Sequence, residues 1–193
     1  QTIHGGETDG FLVKFSASGQ RIWGTYYGGT LNDAVNGCRT DHQGNLYLAG
    51  SSISTDAIAT AGAHQTTNGG DFDAILVRFT NDGTRLWGTY YGGIYADHAM
   101  APAIDDNGDI YLSGFTQSPD QIATTGAYQV TPGGMTDGFL AKFDPNGNRD
   151  WGTYYGGPET DEIRCCDTGA GNCILISGYT ASLTGIATAG SPQ

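Results

Sequence analysis

The sequence predicts an all-β protein made of β-propeller blades: four-stranded antiparallel sheets carried by three 64-residue repeats, 1–64, 65–128 and 129–192. Three observations predict it. The string WGTYYGG occurs at 23–29, 87–93 and 151–157, unchanged and 64 residues apart. No window has the 3.6-residue apolar period of a helix. The strand-like runs are nearly continuously apolar, as at Phe11, Leu12, Val13 and Phe15. Such strands belong to sheets covered on both faces, and sheets packed face to face around an axis form a propeller.

The elements follow in order within each copy. GFLVKF, rich in β-formers, is the first strand. It leads into the turn SASG, TNDG or DPNG, the last a Pro-then-Gly hairpin signature. RIWGTYYGG is the second strand, AVNGCRTD after Asp33 the third, and NLYLAGSS, reached through HQG or DNG, the fourth. Residues 53–70 are an added excursion. Its Ser54, Ile58, Ala59, Thr60, Gly62 and Gln65 columns recur, the last also as Gln1, Gln129 and Gln193. A recurring Ile in a loop implies an apolar anchor, and the excursions should form similar ledges on one rim.

Strand alternation assigns the aromatic string. Trp23, Thr25 and Tyr27 should face one neighbouring sheet, and Gly24, Tyr26 and Gly28 the other. The same holds for Trp87, Tyr90 and Tyr91, and for Trp151, Tyr154 and Tyr155. Gly24 should leave room for a ring from the next sheet, and Gly28–Gly29 should permit a sharp turn. Most of the chain's 32 glycines recur in this positional way. They are punctuation rather than low complexity.

Composition bounds the function. A net charge of −12 with only 8 Lys+Arg excludes the basic groove a nucleic-acid partner needs. It also disfavours anionic membrane surfaces, and no apolar run approaches a membrane span. Scattered His4, His42, His64 and His98 read as surface residues, and no hydrolase elbow, zinc-protease helix or P-loop is present.

Several residues invite chemistry. DPNGNRD resembles the start of a Ca²⁺ loop through Asp144, Asn146, Asn148 and Asp150, but the closing bidentate acid is missing, and a hairpin turn is the favoured reading. Asp9, Asp73 and Asp137, with Asp33, Asp97 and Asp161, recur as a ring of carboxylates. They either collect cations or accept N–H bonds from their own turns. Lys14, Arg78 and Lys142, with Arg21, Arg85 and Arg149, are read as inter-blade partners for carboxylates. Among the cysteines, Cys166 and Cys173 flank a turn and are a candidate disulfide, with Cys165 competing and Cys38 remote. Buried free thiols are the alternative.

The elements DGFLVKFSASGQRIWGTYYGG, GNLYLAGSS and IATAGAHQ resemble the SBBP-type β-propeller repeats of bacteria. The resemblance covers essentially the whole chain. The third copy departs from the pattern in CDTGAGNCI, where the turn is shifted by one residue. The resemblance implies an extracellular or cell-surface setting, a non-enzymatic role and no catalytic residues. By similarity the inner strands are the third and fourth, so 34–93 and 98–157 should be complete blades, and 10–29 and 163–180 half blades. Propellers need about 4–8 blades. The expectation is therefore a fragment of a longer protein, completed by further repeats, or a pairing with a second copy. The leading function is a scaffold or binding module for protein or glycan. The alternatives are a filament or matrix component built through open blade edges, and a piece of a carbohydrate-active propeller enzyme.

Overall fold

A computed structural model describes residues 1–171 and 173–190. These form strands and turns only. The strands are β1 (Gly10–Phe15), β2 (Arg21–Tyr27), β3 (Asp33–Thr40), β4 (Leu46–Ser52), β5 (Asp73–Phe79), β6 (Arg85–Tyr91), β7 (Asp97–Ile104), β8 (Ile110–Thr116), β9 (Asp137–Phe143), β10 (Arg149–Tyr155), β11 (Asp161–Gly169) and β12 (Cys173–Thr180). Among the described residues no helix is long and apolar enough to cross a membrane.

The strands make two four-stranded sheets, β3-β4-β5-β6 and β7-β8-β9-β10, and two two-stranded sheets, β1-β2 and β11-β12. All neighbours within them are antiparallel. Each complete sheet thus takes its first two strands from one repeat and its last two from the next. The sheets are not closed into a ring.

Both faces of the complete sheets are covered. In β5, Ile75, Val77 and Phe79 face Leu12 and Tyr27 of the β1-β2 sheet, while Ala74 and Leu76 face the sheet containing Phe139 and Phe143. This is why the strand reads as a continuous apolar run. A third cluster joins Ala103, Tyr111 and Trp151 to Cys166, Ile174 and Ile176 of the β11-β12 sheet. The strands β3, β7 and β11 lie side by side, linked by Asn36 Nδ2 donating to Ala99 O at 2.8 Å and Thr168 Oγ1 to Ile104 O at 3.3 Å. All three carry a bulge at the same place: after Val35, Ala99 and Ile163.

The hairpin turns are built by side chains the sequence repeats. Asp41 Oδ1 accepts from the backbone N–H of Gln43 and Asn45, and Asp105 Oδ1 from that of Asn107 and Asp109. Gly44 and Gly108 then take left-handed φ of 84° and 85°. In the third copy Gly169 stands in the Asp column. The carboxylate acceptor is missing there, Gly169 pairs with Cys173, and the left-handed glycine is Gly171, one position early.

The excursions begin and end at one rim, as expected, but they are not projecting ledges. Each folds down along the outer strand of its sheet. Thr60 N donates to Gly88 O at 2.9 Å and Tyr90 N to Gln65 O at 3.1 Å, and the next copy repeats both from Thr124 and Tyr154. The open edges of β6 and β10 are therefore occupied, which removes a pairing hazard. Ile58 and Ile122 are fully buried anchors between sheets. Gln193, the last member of the glutamine column, lies outside the described residues.

Candidate interaction surface

The aromatic string is the joint between sheets. Tyr27 donates its hydroxyl to Ile58 O at 2.8 Å, Tyr91 to Ile122 O at 2.7 Å and Tyr155 to Ile186 O at 2.8 Å, each reaching the face of the following sheet. Tyr90 and Tyr154 point the opposite way, donating to Ser54 O at 2.6 Å and Ser118 O at 2.9 Å. Trp23 and Trp87 pack on the same side as Tyr27 and Tyr91. Trp87 Nε1 reaches Pro145 O at 3.1 Å.

The glycine of WGT receives a neighbour's tyrosine hydroxyl rather than a ring. A Cβ on Gly88 would meet the Tyr27 hydroxyl at 2.7 Å, and one on Gly152 would meet that of Tyr91. The Gly-Gly pair has a reason other than the one expected. Neither member is left-handed. A Cβ on Gly93 would meet Asp120 and Ser118 of the excursion, whereas one on Gly92 would lie 2.6 Å from Asp97 Oδ2 and 2.7 Å from Asp73 Oδ1, so the first glycine is closed over by two carboxylates.

Those carboxylates are the recurring aspartates, and each accepts bonds from its own turn. Asp73 Oδ2 accepts from Gly69 N at 2.9 Å and Gln65 Nε2 at 2.7 Å, and Asp137 Oδ2 from Gly133 N at 2.6 Å. Asp33, Asp97 and Asp161 accept from Gly29, Gly93 and Gly157 N at 2.7–2.8 Å, and from Ser54, Ser118 and Ser182 hydroxyls at 2.8 Å. The pairing of Asp33 with Ser54 was readable as two invariant columns, but their contact was not.

Asp73 and Asp97 are fully buried, and the Oδ1 of each has no hydrogen-bond partner among the described residues. Burial pushes Asp73 up to about 7 and Asp97 up to about 6. The native chain therefore holds protons that the unfolded chain has lost above about pH 4. Stability should fall as pH rises from about 4 to about 7, by an upper bound of about 3–4 kcal/mol per group. Asp41 and Asp144, held low by turn hydrogen bonds, act oppositely, and their contribution is lost as pH falls below the ordinary carboxylate range. The melting temperature should peak at mildly acidic pH, and Asp73→Asn should flatten the decline towards neutrality. A midpoint that rises steadily from pH 5 to pH 8 would contradict this.

The turn Asp144–Asp150 spends its oxygens locally. Asp144 Oδ1 accepts from Asn146 and Asn148 N at 2.8 and 2.9 Å, Oδ2 accepts from Asn148 Nδ2 at 2.9 Å, and Asp150 lies 3.4 Å from Lys142 Nζ. The candidate disulfide does not form. Cys166 sits opposite Ile176 and Cys173 opposite Gly169, three steps along the strand, which is about 10 Å. A disulfide needs its Cα atoms within about 7 Å. Cys166 is a buried thiol, and Cys38, Cys165 and Cys173 are exposed.

The basic residues divide. Lys142 pairs with Asp109 at 2.6 Å, and Arg78 lies 3.9 Å from Asp41, but both pairs lie within one sheet and not between blades as expected; the contact of Arg78 with the next sheet is to a backbone carbonyl, Pro145 O at 2.7 Å. Arg85 and Arg149 instead hold backbone carbonyls of the excursions, Ala57 O at 2.5 Å and Gln121 O at 2.8 Å, with their guanidinium groups over Tyr27 and Tyr91. Ala57 and Gln121 have left-handed φ of 61° and 62°, a conformation no local sequence signal announced; the third copy has Gly185 there. His98 is not a surface residue: it is half-buried between the rings of Phe72 and Phe115.

What remains for a partner is the rim where the Gly-Gly turns and excursions emerge. Its non-recurring positions carry exposed apolar side chains, Leu31, Ile94, Tyr95, Val130 and Met135.

No family model matches the chain. It is similar to an uncharacterized WD repeat-containing protein of Acanthamoeba polyphaga mimivirus, 26% identical over 141 residues, covering 69% of this chain and 10% of that protein. It is also similar to the regulatory protein FlaEY of Caulobacter vibrioides, 26% identical over 144 residues, covering 74% of this chain and 15% of that protein. The chain therefore spans only a small part of each relative.

Proposed function

We propose that the chain is a segment of a propeller of the SBBP-repeat kind that serves as a non-enzymatic scaffold for protein contacts. The observation that carries this is the division of labour between columns. Recurring residues are spent on joining sheets, whereas the rim between them bears variable exposed apolar side chains. Likeness to a WD repeat-containing protein and a regulatory protein supports a protein partner. An extracellular setting rests on the repeat resemblance alone.

Protein and glycan arrays probed with the chain test this reading. Protein binding is expected, and Ile94→Asp with Tyr95→Asp should reduce it at least tenfold without moving the melting temperature. Binding confined to glycans, or protein binding indifferent to the rim substitutions, would overturn it.

A further inference from the structure

The joint between the two complete sheets carries an exposed apolar turn set between two carboxylates. Ile94 and Tyr95, in the turn from β6 to β7, are 48% and 53% exposed. Ile94 N donates to Asp120 Oδ1 at 3.2 Å and Tyr95 N to Ser118 Oγ at 3.0 Å, so the second excursion starts against one side of the turn. On the other side, a Cβ on Gly70 would meet Ile94 O at 2.2 Å, which places the exposed Asp71 beside the turn. Complete sheets stand on both sides of this joint, so the exposure is not that of an unfilled neighbour.

The neighbouring joints carry the same chemistry in different residues. In the first, Leu31 is 39% exposed, Thr30 N donates to Asp56 Oδ1 at 3.0 Å, and Asn32 Nδ2 donates to Glu7 Oε2 at 2.8 Å. In the third the two kinds of side chain have changed places: the exposed Met135 stands in the column of Asp71, and the exposed Glu159 in that of Tyr95. Apolar and acidic character therefore persist together at positions where identity does not. None of the chain's 8 Lys+Arg falls in these turns, 28–32, 92–96 and 156–160, or in the segments packed on them, 5–8, 69–72 and 133–136. Asp71 and Asp120 enter none of the ion pairs among the described residues. The negative charge around the turn is unopposed, and the partner it fits is positive.

We propose that the turn at Ile94 and Tyr95, with Asp71 and Asp120, binds a cationic protein segment in which lysine or arginine flanks an apolar side chain. The apolar side chain packs on Ile94 and Tyr95 and leaves water, while the flanking cations pair with the two carboxylates and set the orientation. Leu31 with Glu7 and Asp56 offers a similar contact one repeat away, so a longer segment gains by engaging both. The proposal rests on the scaffold reading and adds to it the chemistry of the partner.

Fluorescence anisotropy of the whole chain with labelled peptides of equal length, in which Leu is flanked by Lys, by Glu or by Ser, tests it. The Lys peptide should bind best and should weaken with added salt. Asp71→Asn with Asp120→Asn, which keeps an acceptor for Ile94 N, should weaken it about fivefold or more. Asp82→Asn with Asp106→Asn removes the same charge from hairpin turns at the opposite rim and should change binding less than about twofold. No preference for the Lys peptide, or equal losses in the two double variants, would overturn the proposal. Protein binding on the arrays that depends on Ile94 and Tyr95 but is indifferent to the Asp71 and Asp120 substitutions would overturn the cationic preference and leave the scaffold reading intact.

Discussion

Replacing Gly114 by alanine is expected to destabilise the chain by about 3 kcal/mol or more, enough to unfold a marginal domain. Gly114 sits in β8 opposite the bulge in β7. A Cβ there would overlap His98 O and lie 2.9 Å from both His98 C and Ala99 Cα. These are backbone atoms of a paired strand, so no rotamer change relieves the clash, and the ladder must separate. Gly50 and Gly178 face Ala34 O and Glu162 O in the same way. Gly126 is the control. It is left-handed at φ 81° with nothing within 4 Å, so Gly126→Ala should cost only the backbone penalty of about 1–2 kcal/mol. Thermal or denaturant midpoints rank the two, and equal effects would contradict the account.

Truncating Tyr91 to alanine should cost about 4 kcal/mol. The side chain is fully buried, its ring centroid lies 5.3 Å from that of Phe139 and 5.7 Å from that of Phe143, and its hydroxyl bonds Ile122 O. Removing a buried aromatic leaves both a transfer loss and a cavity. Tyr91→Phe keeps the ring and loses only the bond, about 1 kcal/mol. Arg149 still reaches Ile122 O at 3.3 Å, so that carbonyl keeps one donor. Tyr26, in the column of Tyr90 and 40% accessible, should tolerate alanine with well under half the Tyr91 effect. Matching losses at the two positions would mean that the sheets are not joined as described.

The strands were legible because a strict repeat places the same apolar, turn and glycine columns in every copy. That the sheets span 34–93 and 98–157, with pairs of strands on either side, was implied by the resemblance to SBBP-type repeats and not by the pattern itself. What it could not supply was contact between columns. Gly28 and Gly29 read as a turn because glycine permits one. Only the approach of Asp9 and Asp33 to Gly28, and of Asp56 and Ser54 to Gly29, shows that the missing Cβ, not the dihedral, is what matters. Cys166 and Cys173 flank a turn, yet the strand register, the same as that of Cys38↔Leu48 in the first copy, places Cys166 opposite Ile176 and separates the two. The excursion's isoleucine announced an anchor. The left-handed conformation of Ala57 and Gln121 beside it, held by Arg85 and Arg149, is marked in residue type only by Gly185 of the third copy.

The rim surface was the least legible part. It is defined by what does not recur, and variable positions look alike whether they bind a partner or merely tolerate change. Sequence patterning fixes the faces that meet. It says little about faces left to solvent.

Everything rests on consecutive repeats burying their faces against one another, and the coupling between Tyr91 and Phe143 measures that directly. The two residues lie on different sheets, with ring centroids 5.7 Å apart. A double-mutant cycle with alanine at each position should give a coupling of about 1 kcal/mol or more. Strictly additive losses, with no coupling beyond about 0.3 kcal/mol, would contradict the stacked-sheet arrangement.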